Sequence, residues 1–356
     1  MKKILSVFLA IVIATSLLSL CGCSSDRITI NVYSWGEYIS DGSDGSLDVI
    51  EEFTERTGIE VNYTTYSTNE ELYAKLSAGG SDYDVIIPSD YMIGKLINEG
   101  MLEKLDYSNI PNYADIDESF KGLNYDVNNE YTVPYMWGTV GIFYNKTMVD
   151  QADIDKMSWD ILWNEKYSGK ILMFDNARDS FAIALKKLGY SMNTTDENEI
   201  RAAYSALSEQ KPLLQAYVMD QIFNKMANNE AALAPYYAGD YIMMSQDNEN
   251  VGYFVPKEGT NRFVDAMCIP VGSKHKTEAE MFINFMCETE ISVANSEYIG
   301  YSTPVKSALS QLDPAIAQNP IYYPSAEVLA NTELYATLPA ETYTLMEDLW
   351  IKLKAE

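Results

Sequence analysis

Ile28-Thr-Ile-Asn-Val-Tyr-Ser-Trp-Gly-Glu-Tyr38 holds both the local structure and the chemistry of this chain in eleven residues. Its first part, Ile28–Val32, alternates apolar and polar residues, as a strand with one buried face does. The part that follows, Tyr33-Ser34-Trp35-Gly36-Glu37-Tyr38, puts large aromatics and a carboxylate at the exit of that strand. In open α/β sheets, ligands bind outside the carboxyl ends of strands. Ring faces beside a carboxylate suit an organic cation above other ligands. The plainer alternative is that Trp35 and Tyr38 cap a hydrophobic core.

Moving outward, strand and helix patterns alternate, which predicts α/β layers. A helix is expected near Leu47 to Thr57, stopped by Gly58, then a strand at Ile59–Tyr63 and a helix from Asn69 with Leu72 and Leu76 on one face. Tyr83-Asp-Val-Ile-Ile-Pro88 reads as a buried strand, with Ser89 or Asp90 capping the next helix. After Tyr131-Thr-Val-Pro-Tyr-Met-Trp-Gly138, a strand at Thr139–Tyr144 marks a crossing into a second lobe. Lys170–Phe174 and Ser180–Leu188 restart the alternation as strand and helix, and Phe263–Pro270 reads as a strand returning to the first lobe. No short-period repeat is present, so a solenoid is excluded.

The N-terminus reads as a secretory signal. Lys2 and Lys3 precede the apolar run Ile4–Leu20, and no second stretch is long and apolar enough to span a bilayer. Leu20-Cys21-Gly22-Cys23 fits a bacterial lipobox, which implies cleavage before Cys23, lipid on its thiol and residues 23–27 as tether. An ordinary cleaved signal with a chance cysteine is the alternative. Acyl chains rather than a helix would then hold the protein outside the cytoplasmic membrane. Losing two lysines and no acid takes the net charge from −27 to −29. So acidic a chain repels nucleic acid and concentrates cations. The roughly 334 remaining residues exceed one compact core and imply two domains. Cys268 and Cys287 lie in apolar surroundings and are expected as buried thiols rather than a disulfide.

Little nucleophilic or metal chemistry is available. The single histidine, His275, sits between lysines in an exposed-looking turn, which excludes a Ser-His-Asp triad and a multi-histidine zinc site. The loop Asp41-Gly-Ser-Asp-Gly-Ser-Leu-Asp48 lacks the residue order of a calcium loop. Gly79-Gly80 is followed by acids, which would repel phosphate. No cofactor is expected. A pair of catalytic carboxylates stays open, since there are 52 acids to choose from.

Aromatic and acid recur together near predicted strand ends. Pro88-Ser89-Asp90-Tyr91 is followed by Phe174-Asp175-Asn176-Ala177-Arg178-Asp179 and Pro235-Tyr236-Tyr237-Ala238-Gly239-Asp240. Arg262-Phe263-Val264-Asp265 and Ile299-Gly-Tyr301-Ser-Thr-Pro304 close the series. Each alone reads as an N-cap or a solvated turn.

Taken together, these stretches resemble the spermidine/putrescine-binding proteins of ATP-driven polyamine importers. Tyr73-Ala-Lys-Leu76, Pro134-Tyr-Met-Trp-Gly138, Lys187-Leu-Gly-Tyr-Ser191 and Asn193-Thr-Thr-Asp196 extend the resemblance over nearly all of the mature chain. It implies a two-lobed, hinge-linked periplasmic-binding-protein fold of type II, α/β in each lobe, with no catalysis. The expected lobes are 28–138 plus 263–309 and 139–262 plus 310–356. The resemblance places Trp35, Tyr38, Ser89, Asp90 and Tyr91 on the ligand from the first lobe. Asp179, Tyr237 and Asp240 would come from the second, and Phe263, Asp265 and Tyr301 from the return segment. The implied partners are a polyamine and a membrane permease, and a monomer is expected. Asn176 stands where spermidine-preferring members carry aspartate, Asp179 where glutamate is usual, and Tyr237 and Phe263 where tryptophans are. Asp240 is similar to putrescine-preferring members. The alternatives are a receptor for another organic cation, a quaternary or thiamine-like amine, and a secreted carboxylate-dependent hydrolase. The latter predicts a raised-pKa acid facing a second acid across an open groove.

Overall fold

The structure, a computed structural model, describes residues 27–79 and 82–355. The expected signal segment 1–22, Cys23 and all of the tether except Arg27 lie outside the described residues. Among the described residues, no helix is long and apolar enough to cross a membrane.

The first sheet is small and parallel, with β1 (Thr29–Trp35) between β2 (Glu60–Tyr66) and β3 (Val85–Ile86). Three helices join and cover it: α1 (Val49–Thr57), α2 (Asn69–Ser77) and α3 (Asp90–Asn98). Their boundaries follow from local chemistry. The Asp48 and Thr68 side chains each accept from a backbone N–H three residues on, and Gly58 ends α1 at φ 74°. Phe53 of α1 is fully buried, its ring 5.2 Å from those of Phe282 and Phe285.

The strand predicted over Tyr83–Pro88 is shorter than expected, pairing in a ladder only at Val85–Ile86. Pro88 has no N–H to continue it. The chain there instead meets the return strand: Ile86 and Cys268 exchange backbone hydrogen bonds of 2.9 Å, and the Ala266 N–H donates to the Pro88 carbonyl at 3.2 Å.

The second sheet has the order β10-β9-β4-β7-β5-β6, with β8 (Val251–Phe254) also on β4. Its strands are β4 (Val133–Asn145), β5 (Ile171–Phe174), β6 (Leu214–Val218), β7 (Leu233–Tyr237), β9 (Thr260–Met267) and β10 (Thr332–Glu333). The expected strand Thr139–Tyr144 is only the latter half of β4. Gly138 does not break it: a Cβ there would lie 2.7 Å from the Phe263 ring, so the glycine admits that side chain. Residues 133–139 of β4 pair antiparallel with 262–267 of β9, with a register shift between Pro134 and Met136. Residues 140–145 pair with β7 and β8. Because Asp265 and Cys268 also bridge to Ser89 and Ile86, β4 and β9 connect the two sheets.

The helix α4 (Ala177–Lys187) follows β5, its N-cap Asn176 accepting from the Asp179 N–H. The C-terminal helix, Ala340–Ala355, packs on α4 and on helix Glu197–Gln210. Cys268 and Cys287 are buried free thiols. His275 is half-buried at the start of helix Lys276–Met286 rather than fully solvated.

Candidate functional site

The carboxyl ends of β1, β3, β5 and β7 converge, with β9, on a cavity of about 900 Å³ counted to its open mouth. All eleven predicted site residues line it. Trp35 and Tyr38 come from the exit of β1, and Ser89, Asp90 and Tyr91 from the start of α3. Asp179 lies in the first turn of α4, Tyr237 and Asp240 at the exit of β7, Phe263 and Asp265 on β9. Tyr301 follows helix Thr289–Ile299, which Gly300 ends at φ 78°.

The aromatic wall is continuous. Tyr237 contacts Phe263 at 5.3 Å between centroids, Phe263 contacts Tyr301 at 5.9 Å, and Tyr301 contacts Tyr38 at 5.2 Å. On the other side, Trp35 leans on Tyr66 at 4.6 Å. Gly239 allows Tyr301 its place, since a Cβ there would fall 2.1 Å from the Tyr301 ring.

Seven carboxyl groups line the cavity: Glu37, Glu70, Asp90, Asp179, Asp220, Asp240 and Asp265. Among the described residues, no lysine, arginine or histidine does. Four of these acids are almost wholly buried: Asp90, Asp179, Asp240 and Asp265. Buried charges are ordinarily paired, and here the pairing groups are neutral hydroxyls and amides. Tyr38 Oη donates to Asp265 Oδ2 at 2.6 Å, and Tyr301 Oη to Asp240 Oδ2 at 2.9 Å. Neutral donors compensate the acids only in part; behind the lining, the buried Arg178 guanidinium favours the ionised form of Asp90 against its burial. Burial raises Asp240 to about 8, against the Tyr301 hydrogen bond and helped by Asp220 and Glu37 nearby. Asp265 is raised by burial to about 6, with Tyr38 and Ser89 easing the ionised form. Asp90 is pushed well above the carboxylate range by burial, its own backbone contact at Tyr91 opposing.

Three acceptors of the lining have no hydrogen-bond partner within the protein: Asp265 Oδ1, Asp90 Oδ2 and Asn261 Oδ1. Trp35 Nε1 is the one lining donor so placed. Orphaned buried acceptors cost stability unless a donor meets them. The arrangement can therefore hold a guest that is cationic, rich in N–H donors and apolar between its charges.

Several lining residues escaped the sequence reading. Glu70 looks like an ordinary first-turn acid of α2, yet its carboxyl accepts from Tyr91 at 3.0 Å and Tyr343 at 3.2 Å. Tyr335 sits between a two-residue strand and the last helix, where no periodicity marks it, and donates to Asp179 Oδ1 at 2.8 Å. Asp220 and Tyr236 meet at 3.1 Å near the mouth. Tyr236 was readable, since it adjoins Tyr237 at the same strand end. The acid-rich 41–48 loop holds no metal-ligating cluster, and neither does any other group of the described residues.

Residues 48–324 match a family described as bacterial extracellular solute-binding protein. The chain is 36% identical over 333 residues to the spermidine/putrescine-binding periplasmic protein of Escherichia coli strain K12, covering 93% of each. The spermidine/putrescine ABC transporter substrate-binding protein PotD of Streptococcus pneumoniae, solved with calcium and HEPES, superposes with a TM-score of 0.79 at 36% identity, over 92% of this chain and 99% of that one. The TpPotD lipoprotein of Treponema pallidum superposes at 0.80 with 26% identity, over 92% and 100%. These neighbours are periplasmic binding proteins of mixed α/β content, and the likeness gives this chain the same two-lobed architecture. Matched over most of its length in sequence and in fold, this chain belongs to the bacterial extracellular solute-binding protein family.

Proposed function

We propose that the protein is a polyamine receptor: it binds putrescine, spermidine or both between its lobes and presents the guest to the membrane permease of an ABC importer. The observation that carries this reading is seven carboxyls and no basic side chain around one aromatic-walled cavity. A polyamine has ammonium groups at fixed spacing along an apolar chain. Carboxylates meet its charges with strong hydrogen bonds, and ring faces cover its methylenes while adding about 0.5–2 kcal/mol per desolvated cation contact. Relatives that share its sequence over nearly the full length are named for spermidine and putrescine.

A quaternary amine fits less well, because it has no N–H for the orphaned oxygens of Asp90, Asn261 and Asp265. A hydrolase would need a single opposed pair of acids; here acids are distributed along the whole wall. The eleven predicted residues act as ligand contacts in this proposal. The lobes are 28–138 plus 263–309 and 139–262 plus 310–356, and β4 and β9 serve as hinge. Calorimetric titration with putrescine, spermidine and spermine should give micromolar or tighter binding for at least one. No heat and no thermal shift with all three would end the proposal.

Outside the described residues, the reading includes a lipid on Cys23 that anchors a monomer outside the cytoplasmic membrane, at the cell surface or in the periplasm. Metabolic labelling with a fatty acid should mark the wild-type protein and not Cys23→Ser. Label retained in the variant would place the anchor elsewhere.

A further inference from the structure

Residues 334–343, between β10 and the body of the C-terminal helix, touch both lobes and hold them unequally. On the second lobe the anchorage is tight. Just before the segment, β10 pairs with β9 at Thr260 and Asn261, and Glu333 receives Lys186 of α4 at 2.9 Å. Asn193 then donates to the Leu334 carbonyl at 2.9 Å and accepts from the Ala336 N–H at 2.8 Å. Tyr335 Oη donates to Asp179 Oδ1 at 2.8 Å, and the Arg178 guanidinium lies 4.3 Å over the same ring. Beyond the segment, the helix packs on α4 and on helix Glu197–Gln210.

On the first lobe the grip is looser. Asn124 Nδ2 reaches the Tyr335 carbonyl at 3.3 Å, and Tyr343 Oη reaches Glu70 Oε1 at 3.2 Å. The Tyr91 and Tyr335 rings meet edge to face at 5.8 Å. Thr337 seats against α3 at Gly94, where a Cβ would fall 1.9 Å from Thr337 Oγ1. Glycine there leaves the segment its seat.

Two of these contacts reach the cavity. Asp179 and Glu70 line it from opposite lobes, and each accepts a phenol hydroxyl from the segment. An ammonium in the cavity favours the ionised form of both acids, and a hydrogen bond to an ionised acceptor is roughly twice as strong as one to a neutral acceptor. A guest therefore tightens the segment's hold on both lobes.

From this arrangement, and resting on the polyamine reading, we infer that residues 334–343 form an interlobe clasp: fixed to the second lobe, they take hold of α2 and α3 as the cleft shuts and slow the escape of the guest. Closure of this kind commits a ligand after it has entered. The first-lobe contacts are made only as the lobes meet, so the clasp acts on dissociation and not on encounter.

The test is stopped-flow tryptophan fluorescence of the full-length mature protein with putrescine and with spermidine, which reads the two rates separately. Neither Tyr343 nor Gly94 lines the cavity. Tyr343→Phe keeps the ring and removes only the hydroxyl. It should speed dissociation about fivefold, the factor set by one net hydrogen bond, with the association rate and the ligand-free melting temperature unchanged. Gly94→Ala, which pushes Thr337 off α3, should also speed dissociation, and Thr337→Ala added to it should restore the slow rate. A dissociation rate unmoved by Tyr343→Phe, or an affinity loss carried by association instead, would overturn the clasp and leave the polyamine reading standing. Failure of both amines to bind the wild-type protein would overturn the polyamine reading and the clasp with it.

Discussion

Asp265→Asn is expected to weaken putrescine binding by at least about a hundredfold while leaving the fold intact. Asparagine has the same shape, and its carbonyl can accept the Tyr38 hydroxyl now 2.6 Å from Asp265 Oδ2. What the variant loses is the negative charge opposite a desolvated ammonium. Removing one member of a buried, hydrogen-bonded charge pair costs about 2–5 kcal/mol, because the other member is left inside without a partner. Isothermal titration measures the loss directly, and a ligand-free melting temperature at pH 8 that does not fall, and that rises as asparagine removes the cost of ionising a carboxyl raised to about 6, shows that the fold is intact. A decline of less than about fivefold would show that Asp265 does not face the guest.

Asp240→Asn separates binding from stability more sharply. In the ligand-free protein Asp240 titrates near 8, far above the range of an unfolded aspartate. The sign follows from proton binding. Between pH 4 and 8 the folded state holds a proton at Asp240 that the unfolded chain has released, so folding stability falls as the pH rises through that window. Below the unfolded value the two states bind the proton alike and Asp240 imposes no penalty. Above pH 8 the penalty is complete and amounts to several kcal/mol. The groups that face Asp240 are Tyr301, which stabilises the anion, and Asp220 and Glu37, which oppose it. Asparagine removes the titration. The variant should therefore melt higher than the wild-type protein without ligand at pH 8, by several degrees, and lose most of its amine affinity. Binding to the wild-type protein should strengthen from pH 6 to 8, with protons released as amine enters, since an ammonium needs both Asp240 and Asp265 ionised. Melting curves at pH 5 and 8, and calorimetry in two buffers of different ionisation enthalpy, read both effects. An identical melting profile for variant and parent would refute the account of Asp240.

Much of the site was legible in the sequence because its chemistry sits at strand ends, which alternation and turn residues reveal. Trp35 and Tyr38 after β1, Asp90 at the start of α3, Asp240 after β7, and Asp265 and Tyr301 at the close of the aromatic-and-acid series were all marked in that way, and all line the cavity. Long-range pairing was not legible. Nothing local in Glu70-Glu71 says which carboxyl turns inward, and that choice depends on Tyr91 and on Tyr343, 273 residues away. Tyr335 is placed by Asp179 and by the Arg178 guanidinium, 4.3 Å over its ring, not by any periodicity of its own. The length of β4 was hidden for a similar reason. Gly138 looks like punctuation until Phe263, contributed by another strand, is seen to occupy the space it leaves.

The strands β4 and β9 run past the cavity as a hydrogen-bonded ladder rather than as two slack tethers. A ladder resists shear and stretching but yields to twist, most readily at an irregular step such as the one between Pro134 and Met136. Opening and shutting would then be a torsional swing about one stiff ribbon, with few backbone bonds broken and little chain disorder created. Under the proposed hinge, such a joint would keep the two halves of the vestibule in register through each cycle, and each capture would start from walls that already match.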